Sequence, residues 1–272
     1  MKKLITIATA LSFGLTVQAQ SVDEIIDNYF ENTGGLEKWQ EMETVEMKGK
    51  APSPQGEFPF MVYNKKPNKM KVEVNIQGKT LIPQAYDGET AWGLNPFAGG
   101  NTAQKVPEEM EWTIADQAEF EPIYIDYKEK GHELTLEGEE TVDGAETFKV
   151  KVVKNKNNDQ NEITEYHFFD KENFVPIMIR SSVLVGPTKG TESETYMSDY
   201  QETDYGVYMP YYIETRSNGQ VAQKIVVDEI IINGDIDDEV FAFPAPTEAP
   251  PAMEEAPMEE EEPTEESEKG EE

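Results

Sequence analysis

The chain changes its hydrophobic rhythm once, near the start, and then keeps the new one almost to the end. Val22, Ile25, Ile26, Tyr29 and Phe30 recur at helical spacing. Ser21-Val-Asp-Glu24 has the form of a capping box, and Gly34-Gly35 is a C-terminal stop. Leu36, Trp39, Gln40 and Met42 allow one further short helix. From Thr44 the period becomes two. Thr44 to Lys50 and Glu57 to Tyr63 read as strands, and Lys69 to Gln77 sets Met70, Val72, Val74 and Ile76 opposite Lys71, Glu73 and Asn75. One buried and one wetted face is the mark of an antiparallel sheet.

Thr80 to Tyr86 leads into Ala85 to Phe97, where Asp87-Gly88 between apolar runs predicts a two-residue hairpin. The returning strand puts Thr90, Trp92 and Leu94 on one face, with Ala91 and Gly93 on the other. Asn95-Pro96 ends it, because proline has no N–H to give a ladder. Trp92 is thereby expected at the rim of a sheet. Phe97 to Phe120 interrupts the alternation: a glycine loop precedes Pro107-Glu108-Glu109, a good helix start, and Met110, Ile114, Ala115 and Ala118 form one apolar face. Such a helix is either a lid or a fixed plug.

Alternation resumes after Gly131, with turns at Asp143-Gly144 and Asn218-Gly219. His132, Leu134 and Leu136 mark one strand, and Phe148, Val150 and Val152 the next. Ile163 to Phe169, Pro176 to Leu184, Glu192 to Thr203, Val207 to Thr215 and Val221 to Ile232 are further strands. Roughly a dozen strands with two helical regions predict a mainly β protein, a curled antiparallel sheet with helices on its concave side.

Targeting and charge narrow the picture. Met1-Lys2-Lys3, the apolar run Leu4 to Val17 and the small-residue site Val17-Gln18-Ala19 predict a secretory signal peptide over residues 1–19. That run is short for a membrane span of ~20 residues. The folded part is expected over residues 20–243. Pro244 to Glu272 is rich in Pro, Ala and Glu, has no aromatic residue, and is expected to be a disordered acidic tail. The absence of Cys removes disulfides and thiolate metal sites. A formal net charge of -32 repels phosphate backbones and anionic membranes, which argues against a nucleic-acid partner.

No catalytic pattern stands out. His132 and His167 are the only histidines, and neither has a second His or Cys at ligand spacing. Asp235, Asp237, Asp238 and Glu239 lack the spacing of a calcium loop. No nucleophile elbow, phosphate-binding loop or dinucleotide fingerprint is present, so no cofactor and no enzymatic activity are expected. Large apolar residues do occupy both faces of some strands: Phe58, Phe60 and Val62 against Met61 and Tyr63, and Tyr208 and Tyr212 against Met209, Tyr211 and Ile213. They imply either a pocket for a greasy ligand or a fully packed core.

Lys66-Pro67-Asn68, a strand, and then Tyr86-Asp-Gly-Glu-Thr-Ala-Trp92-Gly-Leu-Asn-Pro-Phe97 resemble the core pattern of periplasmic lipoprotein carriers of the LolA type. That family shows R-P-N, a strand and D-G-x-T-x-W-x-x-N-P-F at similar spacing. Phe241-Ala-Phe243-Pro-Ala-Pro246 is similar to its late F-x-F-x-P-P. The match is closest to the longer, divergent outer membrane lipoprotein-sorting proteins. The resemblance implies an incomplete barrel with a helical lid over a hydrophobic cavity for acyl chains, located in the periplasm. On that basis Met70, Val72, Val74, Trp92, Leu94 and Phe97 would line the cavity, and Met110 and Ile114 would close it. The implied partners are lipoprotein acyl chains or lipid, with donor and acceptor proteins of the envelope. Lys66 stands where the family has the Arg that latches the lid, and it lacks the planar guanidinium fork. The alternative is an interaction or envelope-sensor protein of the same fold with no lipid cargo.

Overall fold

The computed structural model describes residues 20–97, 102–154 and 162–244. The signal peptide expected over 1–19, and all but the first residue of the expected tail, lie outside the described residues. Helix α1 (Val22–Asn32) begins as its capping box dictates: Ser21 Oγ accepts from the Glu24 N–H at 3.2 Å, and the Glu24 carboxylate accepts from the Ser21 N–H at 2.9 Å. Helix α2 (Leu36–Gln40) follows and buries Trp39, whose indole N–H donates to the Thr33 carbonyl at 3.2 Å.

Six strands come next: β1 (Thr44–Ser53), β2 (Gly56–Lys65), β3 (Lys69–Ile76), β4 (Lys79–Tyr86), β5 (Ala91–Leu94) and β6 (Gln104–Lys105). Helix α3 (Glu108–Gln117) leads to seven more: β7 (Glu133–Val142), β8 (Ala145–Lys154), β9 (Ile163–Asp170), β10 (Pro176–Ser182), β11 (Glu192–Glu202), β12 (Tyr208–Ser217) and β13 (Gln220–Ile232). A single 3-10 turn, Asp238–Val240, closes the described chain.

All the strands among the described residues belong to one antiparallel sheet, ordered β6-β5-β4-β3-β2-β1-β13-β12-β11-β10-β9-β8-β7. Each half is a meander, and the halves join where the first long strand meets the last: Val45 lies opposite Ile232 and Met47 opposite Ile230. The sheet stays open at β6 and β7. Edge strand β7 exposes Glu133, Glu137 and Glu139, charges that discourage pairing with another chain.

On one face α1 packs into a core drawn from both halves, with Val45, Phe60 and Val227 near the junction and Leu134, Val150 and Val152 near the β7 end. In the sheet order β8 lies six strands from β1, roughly 29 Å in a flat sheet. A helix is only about 10–12 Å across with its side chains. The sheet must therefore curl around α1 for both sets to reach it. Full burial of Ile25, Ile26, Tyr29 and Phe30, at about 1.5–3 kcal/mol for a large apolar side chain, holds that wrap together.

The hairpins follow backbone chirality. Asp143-Gly144 (φ 47° and 92°) and Asn218-Gly219 (φ 48° and 74°) are two-residue turns with both residues left-handed. Gln77-Gly78 (φ 52° and 77°) is a further one, hidden from the sequence by a Gln in the first position. Asp87-Gly88 departs from expectation. Tyr86 pairs with Ala91, which leaves four residues between them, and the Asp87 carboxylate accepts from the N–H groups of Glu89 (2.9 Å) and Thr90 (2.7 Å). The side chain satisfies locally the amides that a tighter ladder would have used.

Gly49 lies at the irregularity in the β1–β13 junction, where a methyl group would press on the Val226 carbonyl oxygen, the Val227 Cα and the Phe60 ring. Gly49→Ala is expected to cost about 1–3 kcal/mol of overpacking, measured as a lower urea midpoint. An unchanged midpoint would mean that the junction accommodates the methyl group.

Candidate functional site

Strand register divides the sequence-predicted site residues between two faces. Met70 lies opposite Tyr86, and Tyr86 opposite Ala91. On this helix side Met70, Tyr86 and Ala91 pack against Ile114 and Ala118. Val72 and Val74 are half-buried, with Val74 against the main core, and Met110 is half-buried on α3. Trp92 faces the other way, because it pairs with Ala85, the sequence neighbour of Tyr86. With Ile82, Ala85 and Leu94 it forms a separate apolar cluster. The grouping of Trp92 and Leu94 with Met70 is therefore corrected by register: residues on opposite faces of one sheet cannot share a cavity wall.

What covers Trp92 is the chain after β13. The indole N–H donates to the Phe241 carbonyl at 2.9 Å, and the Phe243 ring meets it edge-on at 6.1 Å. Phe241 is fully buried. Upstream, Asp238 is held by Lys65 and Lys69, both at 2.8 Å, and this pairing draws its carboxyl down to about 2. Phe97 lies beyond β5, 49% exposed, with the Lys79 ammonium 5.3 Å from its ring centre.

Lys66 turns toward the helices. Its ammonium donates to the Gln40 carbonyl at 2.6 Å and lies 3.4 Å from Glu121 and 3.9 Å from Glu43. One side chain thus bridges the end of α2 and the segment that follows α3.

A cavity of about 650 Å³ opens on the helix side, between the end of α3 with its following segment and strands β8 to β11. Spacing along the sequence does not bring its lining residues together. Asp116 comes from α3, Tyr124 from the segment after it, Lys154 from the end of β8, and Glu165 and His167 from β9. Lys154 lies 3.2 Å from Asp116 and 3.5 Å from Glu165. His167 Nε2 is 3.0 Å from Glu165, and its Nδ1 is 2.7 Å from the Tyr124 hydroxyl. His132 also lines this space, so both histidines of the chain meet in one cavity.

The electrostatics follow from burial and pairing. Burial pushes the Glu165 carboxyl up, but the His167 hydrogen bond and the Lys154 charge outweigh it and bring it down to about 2. Burial opposes the charge on Lys154, yet Glu165 and Asp116 carry its ammonium above the usual range. Burial lowers His132, helped by Lys154 and Lys130. Tyr124 is pushed well above the ordinary phenol range by burial. In the neutral His167 ring, Nδ1 accepts from the Tyr124 hydroxyl and Nε2–H donates to Glu165.

Hydroxyl, imidazole and carboxylate in a row have the outline of a nucleophile, base and orienting group. Burial, however, favours the neutral, protonated form of the Tyr124 phenol. The row ties the segment after α3 to β9 through Tyr124, His167 and Glu165. The sequence signal for it was parity: Glu165 and His167 occupy inward positions of a strand beside Val150 and Ile179, where an apolar residue is the default. No group of three or more His, Cys, Asp or Glu arranged to hold a metal occurs among the described residues. No helix among them is long and apolar enough to cross a membrane.

The architecture matches solved structures over most of the chain. An outer membrane lipoprotein-sorting protein domain from Vibrio parahaemolyticus aligns over 80% of this chain and 94% of its own, at 9% identity and a TM-score of 0.51. A LolA superfamily protein from Nitrosomonas europaea aligns over 82% and 98%, at 13% identity and 0.52. A DUF1329 family protein from Desulfovibrio piger aligns over 82% and 98%, at 10% identity and 0.54. The chain has a LolA-like fold. No protein-family model matches the sequence, and no curated protein does.

Proposed function

We propose that the protein is an exported, non-enzymatic binder and carrier of amphiphiles, lipids or acylated proteins, which it holds between the sheet and the segment containing α3. It works in the periplasm. The observation that carries this reading is the cavity of about 650 Å³ beneath that segment, on the helix side of a LolA-like sheet. A ligand there is covered by a single short helix whose buried contacts to the sheet centre on Ile114 and Ala118. Entry and release then require displacing one small element and not unfolding the core. Lys66 would limit that movement, tethering the segment after α3 through Glu121.

The test is chemical. The chain from Gln20 onward, purified after export, is extracted with organic solvent and the extract is read by mass spectrometry. A stoichiometric amphiphile is expected, as is capture of acylated but not unacylated lipoprotein. An empty extract together with no capture would overturn the reading and favour a protein-interaction role for the fold.

A further inference from the structure

The cavity is lined unlike a pocket for hydrocarbon. Among its described lining residues, the carboxylates of Asp116, Glu119, Glu121 and Glu165 face two ammonium groups, Lys130 and Lys154. Lys154 is shared between Asp116 and Glu165, while Glu121 is engaged by Lys130 at 2.6 Å and, from outside the cavity lining, by Lys66 at 3.4 Å, which leaves the surplus of negative charge on Glu119. Glu119 has no ion pair among the described residues, and burial together with Asp116 raises its carboxyl above the ordinary range. Negative charge is in surplus, and the sheet floor adds the hydroxyls of Ser181 and Ser193, which lie opposite each other, and of Thr195.

A second hollow of about 250 Å³ continues from the first and shares Asp116, Gln117, Glu165, Ser181 and Ser193 with it. Its far wall is apolar, formed by Ile163, Val183, Leu184 and Val185. The groove as a whole therefore has a charged end and a greasy end. An alkyl chain laid in the charged end would strip water from Lys154 and the carboxylates and return no hydrogen bond, which is costly. A cationic head in the charged end, with its chain on the valine wall, matches both.

We propose that this cavity receives the protonated amine head of an amphiphile, whose alkyl chain leaves along Val183–Val185. This rests on the binder reading above and sharpens it: the head goes in and the tail lies toward the rim. Amine donors would reach Glu119, the Asp116 and Glu165 oxygens left over by Lys154, and the Ser and Thr hydroxyls.

Calorimetric titration of the full chain at pH 7 tests it with dodecylamine and dodecanoate below their micellar concentrations, and with butylamine. Dodecylamine is expected to bind at least about tenfold more tightly than dodecanoate. Glu119→Gln, at the rim and with no ion pair to Lys154, is expected to weaken dodecylamine several-fold. Glu172→Gln, an exposed change in the turn after β9, controls for the chain's overall charge and is expected to leave it unchanged. Equal affinity for the two twelve-carbon probes, or equal losses in the two variants, overturns the amine assignment and leaves the binder reading standing. Butylamine binding as tightly as dodecylamine overturns the role of the valine wall. If neither twelve-carbon probe binds and extracts are empty, the binder reading falls and takes this proposal with it.

Discussion

Trp92→Ala is expected to lower the free energy of unfolding by about 3–5 kcal/mol while leaving amphiphile binding unchanged. The size follows from burial: Trp92 is 1% exposed and is the centre of the cluster formed with Ile82, Ala85 and Leu94. Removing it leaves a void between the sheet and the segment after β13, and Phe243 loses its ring contact. The Phe241 carbonyl also loses the indole N–H that satisfies it. Trp92→Phe separates these effects. It keeps most of the packing and removes only the donor, at about 1–3 kcal/mol. The second half of the prediction follows from register, since Trp92 points away from α3 and from the cavity. Urea unfolding checks the first half and calorimetry with dodecylamine the second. A folded Trp92→Ala protein that no longer binds would return Trp92 to the binding wall.

The same residue illustrates what a sequence discloses and what it conceals. Period-two alternation is a local property of the chain, so most strands and the mainly β, curled-sheet class are legible directly, while the four-residue turn after Tyr86 and the Gln77-Gly78 turn are not. Which face of a strand receives the helices is not local. Trp92 and Met70 look alike in a one-dimensional pattern, and only the pairing of Tyr86 with both Met70 and Ala91 separates them. A segment returning after β13 to cover the outer face was equally invisible, although Phe241 and Phe243 were conspicuous as letters. Lys66 was singled out through the family pattern, and its bridge from Gln40 to Glu121 is a contact that spacing does not disclose.

The charged cavity was hidden for a different reason. Asp116, Lys154 and Glu165 are ordinary letters in a chain with 55 acidic residues, and the sequence holds no rule that brings α3 over β8 and β9. His132 and His167 lack the spacing of metal ligands along the chain. The one signal along the chain is that a histidine and a glutamate occupy inward positions of a strand whose neighbours are Val150 and Ile179. Buried polar groups need partners, and here Tyr124 from the segment after α3 and Lys154 from β8 supply them.

Lys154→Met tests how that network is balanced. The substitution keeps the volume and removes the charge, leaving Asp116 and Glu165 without their shared cation. Breaking a buried pair by deleting one partner is expected to cost about 3–5 kcal/mol at pH 7. The pH dependence carries more information than the size. In the parent chain the Glu165 carboxyl is held at about 2, below its ordinary 4.5, so its contribution is present above pH 4.5 and fades as pH falls toward 2. The raised Lys154 ammonium contributes below its ordinary pKa and is lost only in strong alkali. In the variant, burial acts on Glu165 against His167 without the help of Lys154, so its pKa rises and protonation relieves the uncompensated charge. The deficit of Lys154→Met is therefore largest at neutral pH and narrows between pH 4.5 and 2. Urea titrations of both proteins across that range measure it directly. A deficit independent of pH would mean that Lys154 acts through packing of its alkyl chain, and that the carboxylates find their compensation elsewhere.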